Sequence, residues 1–262
     1  MPGLPSSYLS SCAPFVRGTG QVEQTPGGVR LALPSASTAR YSDAQIDDYA
    51  GLARSRFPHR PPLRLSLRAR FSHDASELKG TAGFGFWNAP HFDRSRVPSL
   101  LPQAIWFFFG SPPSDIALAL GIPGAGWKAA CIDAGRPSAW PWAPIAAPVM
   151  LACRSPKLYR AIWPRVQRAL AINERLLARP EEHMAGWHTY ELEWRRDKAR
   201  WRVDGSTVLE TDRPPRGPLG FVAWIDNRYA QVTPQGNIRF GLLAALEEWM
   251  EIEEVRLIRD VL

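Results

Sequence analysis

Three stretches of this 262-residue chain carry side chains able to do chemistry. In Trp224-Ile-Asp226-Asn227-Arg228-Tyr229, an acid, an amide, a guanidinium and a phenol follow a near-continuous apolar run. A carboxylate at the end of such a run becomes a general base if burial raises its pKa, and a tyrosine beside it can donate a proton or orient a ligand. The structural alternative is Asp226 paired with one of the many arginines. Trp87-Asn88-Ala-Pro-His91-Phe-Asp93 leaves a second apolar run for a loop, where rigid scaffolds place functional groups. There Trp87 offers a stacking face, while Asn88, His91 and Asp93 offer hydrogen bonds. Asn and Asp also close loops on their own backbone, which is the competing explanation. Asp115 is a lone carboxylate among apolar residues, and either faces a cleft or serves the turn at Pro112-Pro113-Ser114. Trp106 and Trp224 are further cleft-lining residues, with core filling as the alternative.

Other chemistries are unsupported. The five histidines (His59, His73, His91, His183, His188) have no metal-ligand spacing, so no metal is expected. No glycine-rich phosphate loop follows a strand and no Gly-x-Ser-x-Gly elbow occurs, so no cofactor is expected. Cys12, Cys131 and Cys153 form no Cys-x-x-Cys. Their sparse, odd count suits a reducing compartment, with a Cys131–Cys153 bridge left open. The formal net charge of +7 is dispersed, which fits a solvated outer face rather than a nucleic-acid partner. The start of the chain lacks a basic segment followed by an apolar one, and no apolar run approaches the ~20 residues of a membrane span. A cytoplasmic protein without a membrane or nucleic-acid partner is the expectation.

The elements that must hold these residues are mostly strands. Leu63-Arg-Leu-Ser-Leu-Arg-Ala-Arg-Phe71 alternates strictly, so Leu63, Leu65, Leu67, Ala69 and Phe71 share one face. Gly28–Leu33 alternates after a Pro-Gly-Gly turn. Thr81–Trp87 and Gln103–Phe109 are more apolar and read as central strands covered on both sides. Ser114–Leu120 is a further possible strand. Trp187–Trp194 and Ala199–Val203 form a hairpin, Asp204-Gly205 turns the chain into Thr207–Glu210, and Leu219–Ile225 and Met250–Ile258 follow.

Ser155-Pro156 opens an amphipathic helix over about 156–179, striped by Leu158, Ile162, Val166, Leu170 and Leu177. It either lids a cleft or packs on an outer face. A shorter helix is expected at Leu242–Glu248, and Gly135–Pro148 reads as a long loop forming a cleft wall. The abundance of tryptophan (11) and proline (25) favours aromatic platforms and many turns over a helical chain. No internal boundary divides residues 1–262, so one domain is expected.

The order of landmarks resembles the laminarinase-type glycoside hydrolases of family 16. Tyr41–Ile46 is similar to their Tyr-x-Ser-x-x-Ile strand and Leu65–Phe71 to the Arg-rich strand after it. Gly83-Phe-Gly-Phe-Trp87 stands where they have Pro-Ala-Phe-Trp. Trp187-His-Thr-Tyr-Glu-Leu-Glu-Trp194 with Trp201-Arg-Val-Asp-Gly205 resembles Phe-His-x-Tyr-x-x-x-Trp…Tyr-x-Asp-Gly, and Ile252–Leu257 looks like the closing strand. The resemblance implies an all-β, concanavalin A-like jelly-roll β-sandwich of two antiparallel sheets, with its ligand cleft on a concave face. It also implies a catalytic Glu-x-Asp-x-x-Glu strand near Trp106–Leu120. There the only carboxylate is Asp115, with Ala117 and Leu120 at the remaining motif positions. Retaining hydrolysis needs two carboxyl groups about 5–5.5 Å apart. The expected function is therefore non-hydrolytic binding of a carbohydrate or apolar small molecule. Acid–base isomerisation, cyclisation or hydration by Asp226 or Asp115, and a purely structural or protein-binding role, are the alternatives.

Overall fold

A computed structural model describes residues 8–88, 101–177 and 184–259. Its strands in chain order are β1 (Ala13–Arg17), β2 (Gln21–Gln24), β3 (Gly28–Leu33), β4 (Asp43–Asp47), β5 (Leu63–Phe71), β6 (Thr81–Trp87), β7 (Gln103–Gly110) and β8 (Gly126–Asp133). Helices α1 (Ala146–Ala152) and α2 (Pro156–Ala169) follow. The remaining strands are β9 (Asn173–Leu176), β10 (His188–Trp194), β11 (Ala199–Val203), β12 (Ser206–Thr211), β13 (Gly220–Asp226), β14 (Arg228–Val232), β15 (Ile238–Leu242) and β16 (Glu248–Ile258).

Two seven-stranded antiparallel sheets pack face to face as a β-sandwich. One runs β1-β4-β13-β6-β7-β8-β9, the other β12-β11-β10-β5-β16-β3-β2. Period-two patterning explains the core. Phe84 and Phe86 of β6, Ile105, Phe107 and Phe109 of β7, and Phe221 and Ile225 of β13 meet Leu65, Leu67 and Phe71 of β5 and Tyr190 and Trp194 of β10. Each such side chain, fully buried, contributes about 1.5–3 kcal/mol of transfer free energy.

Four expectations change. Ser114–Leu120 is not a strand; only Asp115 makes an isolated bridge, to Gln231, because the Pro112-Pro113 turn carries this segment off the sheet. The helix expected over 156–179 ends at Ala169. Ala171 then adopts a left-handed φ of 49°, and Asn173–Leu176 finds ladder partners on the β8 edge. Leu242–Glu248 forms no helix, since Leu242 closes the β14–β15 hairpin and Glu248 opens β16. Gly135–Pro148 is not a bare loop: a 3-10 turn at Pro137–Trp142 and the start of α1 occupy it. Cys12, Cys131 and Cys153 are free thiols.

Candidate functional site

The outward face of the β6-centred sheet is concave and holds a cleft of about 460 Å³. Alternation supplies the floor. When Phe84, Phe107 and Ile225 point into the core, the residues beside them point out. Trp87 of β6, Trp106 and Phe108 of β7 and Trp224 of β13 therefore meet on the floor, with Ala130 and Ile132 of β8 beside them. β6 has no side chain at Gly83 or Gly85, which leaves room for those rings. A β-carbon at Gly83 would lie 2.9 Å from the Trp224 ring, and one at Gly85 2.6 Å from the Cβ of Trp106. Gly85 also has φ +147°, which favours glycine.

The rings pack as a unit. Trp87 and Trp224 lie nearly parallel, 8° apart with centroids 6.4 Å apart, and Trp106 tilts against both. Two of the indole N–H groups are hydrogen-bonded within the fold. Trp87 Nε1 donates to Tyr49 Oη at 2.8 Å, and Trp224 Nε1 to Thr81 Oγ1 at 3.0 Å. The walls come from Ile116 and Leu118 on the segment after β7, and from Val232, Ile238 and Phe240 of the β14–β15 hairpin. Helix α2 is not a lid, because none of its residues lines the cleft. It buttresses the wall instead: Trp163 and Val166 pack with Leu118 and Ala119, and Trp163 Nε1 donates to Leu118 O at 2.6 Å. Lys128 Nζ holds the same wall through Ile116 O (2.9 Å) and Gly124 O (3.2 Å), and burial lowers its pKa.

At one end of the aromatic floor two carboxyl groups face the cleft. Asp43 of β4 and Asp226 of β13 are direct cross-strand partners, 1% and 7% exposed. Asp226 Oδ1 accepts from Thr81 Oγ1 (2.8 Å), Thr81 N (3.3 Å) and Arg228 N (3.0 Å), and Oδ2 accepts from Tyr41 Oη (3.1 Å). Neither oxygen of Asp43 has a partner within hydrogen-bond geometry among the described residues; the Tyr41 hydroxyl, which donates to Asp226, is near enough only to favour its charged form. Burial, and then the charge of Asp226, push Asp43 well above the ordinary carboxyl range, only partly offset by Tyr41, Arg228 and Arg17. Burial also raises Asp226, against its hydrogen bonds from Thr81 and Arg228. Tyr41 is likewise raised by burial and by Asp226, so it stands as a neutral donor. A third cleft acid, Glu174 of β9, is raised by burial; its Oε2 accepts from Ala119 N at 2.9 Å.

Of the residues singled out in the sequence, the cleft unites Trp87, Trp106, Trp224 and Asp226. His91 and Asp93 lie outside the described residues. The others are placed elsewhere. Asp115 does not line the cleft; its backbone pairs with Ala230 and Val232, tying the wall to the hairpin. Asn227 is fully buried. Its Oδ1 accepts from Ser42 N, and its amide donates to Ser37 O, Arg40 O and Leu243 O, which leaves nothing for a ligand. Asn88 spends its side chain on Leu101 O and Gln103 N. Tyr229 sits between Arg228 and Ala230 on β14, and alternation turns it away from the cleft those neighbours line.

Asp43 and Tyr41 were not singled out as site residues by the sequence. The only signal was Asp43 as a polar residue in the Tyr41–Ile46 strand; its partner lies 183 positions away. The strand after the aromatic strand, β7, turns Ala104, Trp106 and Phe108 toward the cleft and carries no carboxylate. Among the described residues no group of three or more His, Cys, Asp or Glu side chains can hold a metal.

No family model matches the chain, and no curated protein matches it. Solved structures do. The catalytic domain of an endo-1,3-beta-glucanase (laminarinase) from Thermotoga petrophila RKU-1 is 11% identical, over 96% of this chain and 78% of its own, with a TM-score of 0.43. The beta-glucanase of Bacillus licheniformis is 10% identical, over 91% and 82%, with a TM-score of 0.46. The carbohydrate recognition domain of Emp47p is 11% identical, over 91% and 87%, with a TM-score of 0.43. Each is a distant structural similarity, at 11% identity or below.

Proposed function

We propose that the concave cleft binds a ring-bearing small molecule, largely apolar with one polar end, and does not hydrolyse glycosidic bonds. The observation that carries this is the continuous floor of Trp87, Trp106, Phe108 and Trp224, walled by Ile116, Leu118, Ile238 and Phe240. A cleft of about 460 Å³ lies in the size range of small-molecule sites, and its few polar groups converge at one end. Aromatic floors of this kind reward flat, apolar ligand faces. Non-hydrolysis is supported by β7, which offers the cleft Trp106 and Phe108 where the hydrolases' acid strand is expected. The free thiols of Cys12, Cys131 and Cys153 suit a reducing compartment, and we assign the protein to the cytoplasm on that ground.

A carbohydrate is the second reading. It is favoured by the half-buried rings of Trp87 and Trp106 beside Gln103 on the concave face, since such rings stack on sugar faces. Thermal-shift measurements with a panel of apolar cyclic compounds and of β-glucan oligosaccharides separate the two. Stabilisation by an apolar compound, lost in Trp106→Ala, is the expected result. Stabilisation by oligosaccharides alone selects the carbohydrate. Release of reducing sugar from any β-glucan overturns the non-hydrolytic assignment.

A further inference from the structure

The two acids at the end of the cleft are unlike in their surroundings, and the difference assigns them separate tasks. Both are more than nine-tenths buried, and both face the cleft from directly opposed positions on β4 and β13. Opposed residues of an antiparallel pair hold their β-carbons about 4.5–5.5 Å apart, so the two carboxyl groups lie within reach of each other. Two like charges at that separation and in that burial do not both persist. Asp226 accepts four hydrogen bonds, from Thr81 Oγ1, Thr81 N, Arg228 N and Tyr41 Oη, and is the better home for the negative charge. Asp43 accepts none within hydrogen-bond geometry among the described residues, the nearby Tyr41 hydroxyl being committed to Asp226, and is the better home for the proton. Its O–H then needs an acceptor: both oxygens are sealed from solvent, and Asp43 stands in the lining of the cleft.

We propose that Asp43 and Asp226 share one proton and act as an acid–base pair that enolises an apolar carbonyl compound bound on the aromatic floor. This rests on the cleft holding such a ligand. In the step, the α C–H bond of the ketone breaks and its proton passes to Asp226 Oδ2, whose one partner among the described residues is the Tyr41 hydroxyl. The released electron pair forms the C=C bond. The carbonyl oxygen takes the proton of Asp43 as its π bond opens to the enol. The pair holds one proton before and one after, and reversal with a solvent-derived proton completes an exchange.

The charged groups around the pair are consistent with a single retained negative charge. Arg17 lies opposite Asp43 on β1, and Arg228 of β14 stacks over the Tyr41 ring at 4.4 Å. On β4 itself Asp47 is raised by burial and occupied by Gln45 Nε2 and Tyr49 N. On β6 the neighbour is the uncharged Thr81.

The test uses the full chain and the enolisable apolar ketone β-tetralone in heavy water. Binding is followed by tryptophan fluorescence and deuterium uptake by mass spectrometry. Wild type is expected to bind the ketone and to exchange its α-protons faster than buffer. Asp43→Asn and Asp226→Asn should keep binding and lose roughly 100-fold in exchange rate, while Glu251→Gln on the opposite sheet exchanges like wild type. Binding with exchange no faster than in the Asn variants overturns the enolising pair and leaves the cleft assignment standing. Absence of binding overturns the apolar-ligand assignment and this substrate class with it. Carboxyl-carbon NMR of aspartate-labelled wild type is independent of any ligand and of whether the variants fold. One aspartate of the pair still protonated at neutral pH supports the shared proton; ordinary acidic titration of every aspartate overturns it.

Discussion

The two outward faces of the sandwich obey the same period-two rule and use it oppositely. On the outward face of the sheet that holds β5, β10, β11, β12 and β16, carboxylates meet guanidinium groups. Arg70 pairs with Glu251 at 2.6 Å, Arg68 with Glu253, Arg64 with Glu191 and Arg200 with Glu210. Tryptophans there lie under cations, with Arg70 4.8 Å from the Trp187 ring and Arg30 4.4 Å from Trp249. On the concave face, tryptophans lie against one another and Asp43 stands opposite Asp226. Cross-strand pairing of opposite charges stabilises a sheet, and pairing of like charges costs free energy. The paired face is arranged for stability and solvation. The concave face keeps a destabilising pair that a purely structural sheet has no use for, which is why it is read as the site.

The largest expected effect tests whether the concave rings also support the fold. Trp224→Ala should lower unfolding free energy by about 3–5 kcal/mol, measured by denaturant titration, and abolish binding of any cleft ligand. A loss below about 1 kcal/mol would show the floor to be independent of the core.

Next comes an acid on the inner side. Glu248 is 3% exposed, its Oε1 accepts from Lys79 N at 2.6 Å, and burial raises its pKa to about 7. A folded-state value above the ordinary ~4.3 means its contribution is fully present below pH ~4.3 and lost as pH rises through 7. Glu248→Gln should remove that decline, on the order of 3 kcal/mol, from melting curves taken across this range. An unchanged pH dependence would refute the shift.

Asp43→Leu sharpens the contrast between the faces. It removes two buried oxygens without partners among the described residues and should raise stability at neutral pH by about 1–3 kcal/mol. Asp43 is also raised in the fold, so the wild-type penalty grows as pH rises from the ordinary carboxyl range; the gain should therefore shrink in acid. A destabilised Asp43→Leu at neutral pH would contradict the assignment.

The smallest effect is on the paired face. A double-mutant cycle on Arg70 and Glu251 should give a coupling of about 0.2–1 kcal/mol that falls with added salt, because the arginine is 37% exposed.

Much of the scaffold was legible because strand alternation is local. Leu63–Phe71, Thr81–Trp87 and Ala199–Val203 are strands with those bounds, and the order of landmarks implied the two-sheet architecture. Less was legible where long-range partners decide. Asn173–Leu176 continues a helical stripe in sequence, yet the unpaired edge of β8 converts it to strand. Gly126–Asp133 carries Lys128 in the middle of an apolar run, a residue whose buried ammonium is satisfied by Ile116 O and Gly124 O once the preceding loop folds back over it.

The same division runs through the site. Side-chain alternation along each strand determines that Trp224 and Asp226 leave the core on the same face of β13, as Trp106 leaves it on β7 and Trp87 on β6, because neighbouring residues on a strand point to opposite faces. Which acid opposes Asp226, which amide is consumed by backbone, and which way β14 turns Tyr229 were decided only by tertiary pairing. Those outcomes depend on register between segments far apart in the chain, and a one-residue slip would exchange every one of them.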